Sequence, residues 1–153
     1  MLHNEKNKRV LGVDLGLKRT GLAISDELGI STRALENLIP RSRAEDIAAL
    51  RILCEEFNVA VVVFGLPLMP STQEEGTLAK RFRAFAELFG KDLHEHGLAT
   101  KVVMLDEAMT SKLAAQRLAN SGLAMKKRRS LIDGEAARIL VEEYLAGAGG
   151  KAE

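Results

Sequence analysis

The sequence of 153 residues contains a single cysteine, no tryptophan and only 4% aromatic residues. One thiol, that of Cys54, excludes an internal disulfide bond and a zinc site built from several thiolates. Its position on an apolar helical stripe predicts burial in the core. The scarcity of aromatic side chains disfavours a base-stacking platform like that of single-strand-binding proteins. Any nucleic acid would therefore be held mainly through its backbone.

The sequence also lacks a long apolar run and a clear excess of either charge. No run approaches the roughly 20 apolar residues that cross a bilayer, and the polar segment Met1–Arg9 lacks the apolar core of a signal peptide. There are 22 basic and 21 acidic residues, a formal net charge of +1, which is less basic than an obvious nucleic-acid binder. We therefore predict a cytoplasmic globular protein.

The hydrophobic pattern predicts three closely spaced strands followed by alternating helices and strands. The predicted strands are Val10–Leu15, Thr20–Ser25, Ser31–Ile39, Val59–Phe64 and Lys101–Leu105. A first helix is expected after the capping-box pair Ser42 and Glu45, and a second after Ser71 and Glu74. The second helix would bury one apolar stripe, formed by Leu78, Phe82, Phe85, Phe89 and Leu93. Two more helices are expected at Thr110–Asn120 and Leu131–Leu145, joined by a loop with the basic run Lys126, Lys127, Arg128 and Arg129.

This order of elements predicts an α/β fold: a five-stranded mixed sheet, three strands antiparallel and the rest in β-α-β alternation, with helices on both faces. The chain has no internal repeat and no interior linker, so a single domain is expected over residues 9–146. Residues 1–8 are expected to be disordered, and residues 147–153, rich in Gly and Ala, to form a flexible tail.

Asp14 is the strongest candidate for a functional residue. It ends a strand between Val13 and Leu15, where a charge is costly unless it is paired or bound to a metal. The neighbouring glycines, Gly12 and Gly16, allow another backbone or a phosphate to approach closely. The alternative is a structural carboxylate that accepts hydrogen bonds from the turn amides that follow it.

Two further acidic positions lie near ends of predicted elements. Asp106 and Glu107 follow the fifth strand directly, and ligands collect at the carboxyl ends of strands in such sheets. The alternative is a solvated loop before a helix capped by Thr110. Asp133 shares a face of the last helix with apolar residues, so it points towards the protein body. Alternatively, Ser130 and Asp133 form a capping box, with the acid suiting the helix dipole.

Together these acids predict a divalent metal site. Crowded carboxylates repel one another unless a cation lies between them, and Mg²⁺ or Mn²⁺ prefers oxygen ligands. Two such ions can activate water and stabilise the leaving oxygen in phosphodiester cleavage. Lys18 and Arg19, in the turn after Asp14, are placed to contact a phosphate. They and the basic run are equally compatible with solvated surface residues.

Four short motifs, in order, resemble the YqgF family, which is also called RuvX. They are Asp14-x-Gly-x-Lys-Arg-x-Gly-x-Ala23, Gly65-Leu-Pro-Leu68, Asp106-Glu-x-x-Thr110 and Ile132-Asp-x-x-Ala-Ala137. Members of this family are described as Holliday-junction resolvases or pre-16S rRNA nucleases. The resemblance covers nearly the whole chain, from Arg9 to Tyr144. It implies a ribonuclease-H-like fold with a carboxylate site.

The resemblance also implies roles for individual residues. Asp14, Glu107 and Asp133 match the acids that would be catalytic and bind Mg²⁺ or Mn²⁺, with Asp106 as a possible additional acid. Apart from the resemblance, the charge and position of Lys18, Arg19 and the basic run predict that these cations hold the substrate backbone. The expected activity is endonucleolytic cleavage in 5′-end maturation of pre-16S rRNA, with branched-DNA resolution as the alternative. Ribosomal particles are possible partners, and the protein would act as a monomer or homodimer.

The sequence departs from the family pattern at two places. Ala108-Met109 replaces the usual Arg-Leu, which removes a cation next to the acids. Met69-Pro-Ser-Thr-Gln73 replaces the usual Asn-Met-Asp-Gly-Thr, which changes the loop after the fourth strand. The modest net charge and the missing arginine at position 108 leave open a non-catalytic module that binds ribosomal RNA or protein. An ATP-binding domain of the actin and sugar-kinase type is a third interpretation, although that fold closes two domains around its nucleotide and this chain has room for one.

Overall fold

The computed structural model describes residues 9–66, 76–106, 116–117, 119 and 125–148. Its strands are β1 (Val10–Asp14), β2 (Thr20–Ser25), β3 (Thr32–Leu38), β4 (Val61–Leu66) and β5 (Lys101–Asp106). Its helices are α1 (Arg43–Phe57), α2 (Thr77–Glu95) and α3 (Met125–Glu143), followed by a π-helical turn, Tyr144–Ala148. No helix in these ranges is both long and apolar enough to cross a membrane. The predicted disordered segment 1–8 and residues 149–153 of the predicted tail lie outside the described residues.

The five strands form one mixed sheet in the order β3-β2-β1-β4-β5. β1, β2 and β3 pair antiparallel, whereas β1, β4 and β5 run parallel. The predicted mixed sheet is therefore confirmed. The carboxyl ends of β1, β4 and β5 meet at one edge of the sheet, and this edge is where ligands bind in sheets of this kind.

Helices α1 and α2 cover one face of the sheet. Successive strand residues point to opposite faces, and Leu11 and Val13 of β1 point into this layer with Phe64 of β4. They pack against Leu50 of α1 and Phe89 of α2, all five being essentially inaccessible to solvent. The rings of Phe64 and Phe89 meet edge to face, with centroids 5.7 Å apart, an arrangement that adds to the burial energy.

Helix α3 covers the opposite face, so helices flank the sheet on both sides, as predicted. The residues of this second layer are Val10, Ala23, Val63, Ala137, Leu140 and Val141, all buried. Gly12 and Gly21 also lie on the strand side of this layer, and the lack of a side chain at each lets the helix lie close to the sheet.

The start of α1 follows the prediction. Ser42 is the N-cap residue, and its hydroxyl oxygen accepts a hydrogen bond from the backbone N–H of Glu45 at 3.1 Å. At the other end, Asn58 adopts a left-handed conformation (φ 52°), which suits a helix C-cap because Asn tolerates this region. Cys54, on the buried side of α1, is 2% exposed as predicted. Burial raises the pKa of its thiol to about 12, so the group stays protonated.

The predicted start of α2 is wrong. Gly76 is the N-cap residue and the helix begins at Thr77. The predicted capping pair, Ser71 and Glu74, lies outside the described residues. The buried stripe contains Ala79, whereas Leu78 is 38% exposed. Ala79 and Leu78 precede the buried Phe82 by three and four residues, so both positions share a face of the helix with it. The apolar spacing therefore fits either position, and it favoured the larger side chain.

The predicted start of the last helix is also wrong. Helix α3 begins at Met125, so the basic run 126–129 lies in its first turns and not in a loop. Lys and Arg are favourable helix formers, although a charged run has no apolar period that would reveal a helix. Ser130 is consequently inside the helix and is not its N-cap residue. Of the helix predicted at Thr110–Asn120, residues 116, 117 and 119 are helical and the others lie outside the described residues.

Candidate active site

Asp14 is the last residue of β1 and lies on the sheet face that α3 covers. Val10 packs against α3, whereas Leu11 and Val13 face the opposite layer. Because side chains alternate along a strand, Gly12 and Asp14 share the α3 side with Val10. Asp14 is half-buried, so its carboxylate lies at the rim of the core.

Two glycines allow the backbone of α3 to contact the β1–β2 hairpin. A Cβ atom on Gly12 would lie 2.5 Å from the carbonyl oxygen of Ala137. A Cβ atom on Gly21 would overlap the carbonyl group of Asp133, and Gly21 is the register partner of Asp14 on the neighbouring strand. The close approach of another backbone, one of the two roles predicted for Gly12, is therefore confirmed. It places Asp133 of α3 beside the Asp14–Gly21 pair.

The carboxylate of Asp133 already has a cationic partner. Nε of Arg19 donates a hydrogen bond to Oδ2 of Asp133 at 2.8 Å, and the two side chains are 48% and 23% exposed. A guanidinium carries five N–H donors, so Arg19 retains donors for a further acceptor. The turn after β1 thus contributes positive charge next to both acids. Lys18 of the same turn is exposed.

The third predicted acidic position lies at the same edge of the sheet. β5 ends at Asp106, in register with Leu66 of β4, and only its backbone is described. Val13 and Phe64 are register partners, as are Phe64 and Met104, so two strand spacings of about 4.8 Å separate β1 from β5. Glu107 lies outside the described residues.

The basic run is placed only by its backbone. Arg129 precedes Asp133 by about one turn of α3, and Lys126 to Arg128 lie in the turn before that. Because the side chains of residues 125–130 are not described, the structure brings Asp14, Asp133 and Arg19 together and leaves the contacts of this run open.

A divalent metal would need a donor beyond the described acids. Among the described residues, no group of three or more His, Cys, Asp or Glu side chains is close enough to hold a metal ion. Asp14 and Asp133 supply hard carboxylate oxygens on facing elements, which is the donor chemistry that Mg²⁺ and Mn²⁺ prefer. A third carboxylate would come from the Asp106–Glu107 segment. With that third carboxylate, the oxygen donors of Asp14 and Asp133 fit an Mg²⁺ or Mn²⁺ ion.

A charge network on α3, which the sequence reasoning missed, connects residue 117 to this helix. Glu135 is 8% exposed and accepts hydrogen bonds from Arg117 at 3.1 Å and from Arg138 at 2.8 Å. Hydrogen bonds to Glu142 and Glu135 raise the pKa of the Arg117 guanidinium. In the sequence, this charge network was indicated only by the spacing of Glu135 and Arg138, which are i and i+3 on a helix. The network fixes part of the chain between the Asp106–Glu107 segment and α3.

We expect Glu135→Gln to lower the free energy of unfolding by about 1–2 kcal/mol, because a nearly buried carboxylate with two cationic partners is lost. The melting temperature should fall by roughly 3–6 °C, as measured by thermal denaturation. Glu87→Gln makes the same chemical change at an exposed site on α2 and should have almost no effect. Equal melting temperatures for the two variants would contradict a stabilising role for the network.

Comparisons with known proteins agree with this architecture. The RuvX family profile, described as Holliday junction resolvase, matches residues 8–147. A protein of Anaeromyxobacter dehalogenans named "Putative pre-16S rRNA nuclease" is 38% identical over 138 residues, which is 90% of this chain and 96% of that protein. One of the same name from Geobacillus kaustophilus is 35% identical over 139 residues, covering 90% and 96% of the two chains.

Solved structures show the same fold at low sequence identity. RuvC of Thermus thermophilus in complex with a Holliday junction substrate has a TM-score of 0.57 at 16% identity, covering 94% of this chain and 97% of that one. The fowlpox virus resolvase in complex with Holliday junction DNA has a TM-score of 0.56 at 14% identity, covering 92% and 98%. At such identities the likeness shows the fold alone. The family profile and the sequence relatives show that the chain belongs to the RuvX (YqgF) family.

Proposed function

We propose that the protein is a metal-dependent endonuclease that hydrolyses phosphodiester bonds of a nucleic acid, with pre-16S rRNA as its substrate in 5′-end maturation. The observation that carries the proposal is the convergence of Asp14 and Asp133 on one face of the sheet, at the edge where β5 ends in Asp106. Family membership and the names of the sequence relatives support a nuclease. An rRNA substrate suits the cytoplasm, where we place the protein.

In this proposal Asp14, Glu107 and Asp133 hold Mg²⁺ or Mn²⁺, and Asp106 is an additional acid. When bound, such ions supply an activated water and neutralise charge that develops on the phosphate. The half-buried position of Asp14 and the contact of Gly21 with α3 hold the two described carboxylates in place. Positioning of this kind is itself a large part of catalysis.

Positive charge next to the acids would hold the substrate backbone. Arg19 is fixed by Asp133 and retains free donor groups, so it can bind a phosphate beside the carboxylates. Lys18 in the same turn is exposed and adds a second cation. The basic run 126–129, in the first turns of α3, would extend this positively charged surface along the nucleic-acid strand. Backbone contacts of this kind predict binding that weakens as salt rises.

Resolution of branched DNA is a second candidate, because the family profile is described as a Holliday junction resolvase. A resolvase that acts on a two-fold symmetric junction would work as a homodimer. An rRNA nuclease can act as a monomer, with ribosomal particles as partners. The oligomeric state during cleavage therefore helps to separate the two candidates.

Cleavage of matched substrates tests the proposal. The purified chain is incubated with Mg²⁺ or Mn²⁺ and with three labelled substrates: RNA spanning the 5′ end of 16S rRNA in its precursor, DNA of the same sequence, and a four-way DNA junction. We expect cleavage of the RNA, loss of activity with a chelator, and recovery when the metal is restored. Equal cleavage of RNA and DNA would contradict the rRNA assignment, and preferential cleavage of the junction would favour resolution. A chain that binds RNA but cleaves no substrate would support the non-catalytic alternative.

A further inference from the structure

A cavity of about 210 Å³ opens beside the turn between β1 and β2. It lies between this turn and helices α1 and α2, on the sheet face opposite to α3. Its apolar lining includes Leu15, Leu50, Phe82 and Phe85. Leu15 follows Asp14 directly, so the cavity begins one residue away from the proposed acid.

Three arginines surround this cavity. Arg41 precedes α1, Arg43 begins it, and Arg81 lies in the second turn of α2. All three are exposed, and none of their guanidinium groups pairs with a carboxylate within the described part of the chain. The lining also contains the carboxylate of Asp46, whose Oδ1 accepts a hydrogen bond from the backbone N–H of Arg41 at 3.1 Å. The rim is therefore positive overall, above an apolar floor.

We propose that this cavity binds one unpaired nucleotide next to the cleaved bond, with its base on the apolar floor and its phosphate at the arginines. The inference rests on the nuclease function proposed above and adds a subsite to it. The volume is below the range of about 300–1,000 Å³ that drug-sized ligands occupy, which suits a single base. Arginine is the side chain best suited to bind phosphate through paired hydrogen bonds, and proteins that read RNA bind mainly unpaired bases.

The position of the turn relative to the sheet supports this assignment. Asp14 and Leu15 are consecutive, and they lie on the α3 side and the α1–α2 side of the sheet respectively. An RNA strand that crosses the turn at Lys18 and Arg19 would place one of its phosphates near the acids. The neighbouring nucleotide would then lie at the cavity. Leu17, 62% exposed, forms the apolar rim between the two sites.

Base removal in the substrate tests the cavity directly. Binding of the unmodified chain to single-stranded RNA is measured by fluorescence anisotropy in chelator, so that no cleavage occurs. One abasic nucleotide is moved along the strand. We expect one position at which loss of the base weakens binding roughly tenfold, within the range for base contacts with apolar and aromatic side chains. Fully paired RNA should bind without such a sensitive position.

Substitution of the arginines tests the rim. Arg43→Ala combined with Arg81→Ala should abolish the sensitivity to the abasic position. It should also reduce the slope of log affinity against log salt by about 0.7, the value for one lost phosphate contact on a single strand. Lys91→Ala removes an exposed cation from the same helix as Arg81 but away from the cavity, and it should keep the sensitive position.

The outcomes separate this proposal from the nuclease function. A flat abasic scan, or unchanged sensitivity in the double variant, would overturn the subsite even if the chain cleaves RNA. Saturable binding of a free mononucleotide that leaves RNA binding unchanged would overturn it too, because the cavity would then serve a small molecule. A sensitive position in a chain that cleaves no substrate would support the subsite and reject the nuclease function.

Discussion

Asp14→Asn should reduce cleavage at least about a thousandfold while nucleic-acid binding persists. The substitution keeps the size of the side chain but removes a negative charge from the proposed metal site. A metal-centred site supplies several kcal/mol of transition-state stabilisation, and about 4 kcal/mol corresponds to a thousandfold in rate. The rate under single-turnover conditions is the appropriate measurement, with binding followed separately.

Glu56→Gln is the matched control for this prediction. It makes the same change from acid to amide near the end of α1, at an exposed position on the other side of the sheet from Asp14, and the cleavage rate should stay within about twofold. Near-normal cleavage by Asp14→Asn would show that the carboxylate is structural. That is the alternative interpretation of the sequence, in which Asp14 accepts hydrogen bonds from the turn amides that follow it. Loss of both cleavage and folding would instead be visible in the circular dichroism spectrum.

Gly21→Ala should damage both stability and activity, because its new methyl group would overlap the backbone of Asp133. Helix α3 has to move away from β2 to accommodate it. Overpacking of this kind costs about 1–3 kcal/mol, and a displacement of about 1 Å at a catalytic group can reduce the rate about a hundredfold. Chemical denaturation and the cleavage rate measure the two effects.

The matched control is Gly90→Ala in the interior of α2. A Cβ atom there would meet Val102 at 3.8 Å, an ordinary contact. Alanine is the better helix former by about 1 kcal/mol, so this variant should be as stable as the natural protein or more so, with full activity. If Gly21→Ala behaves in the same way, the position of α3 is not set by the glycine contact.

The strands and the first helix could be predicted because their signals are local. β1, β2 and β5 are short apolar runs between turns, and Ser42 with Glu45 marks the start of α1. The starts of α2 and α3 could not be predicted by the same means. The N-cap of α2 is Gly76, which offers no side-chain cap to recognise, and the run 126–129 is helical with no apolar period. Where a helix starts depends on packing against the rest of the fold, which decides among several candidate N-cap residues.

The candidate site was predictable only in part. The acids at 14 and 133 were identified from strand and helix patterns and from the family motifs, and the structure places both on one face. Nothing local indicated that Arg19 would pair with Asp133 or that Gly21 would contact α3, because both contacts join distant parts of the chain. The arginine-rimmed cavity was missed for the same reason, since its walls come from a turn and two helices.

The distance along the chain between Arg19 and Asp133, 114 residues, has a consequence for protein synthesis. Asp14 and Arg19 leave the ribosome early, but Asp133 follows only when most of the chain has been made. Until α3 docks against the glycines of the first hairpin, Asp133, one of the three proposed metal ligands, is missing from the proposed centre. Under the proposed function, a newly made molecule would therefore gain the ability to cut only once its folding is nearly complete, and the RNA around it would be protected from unfinished copies.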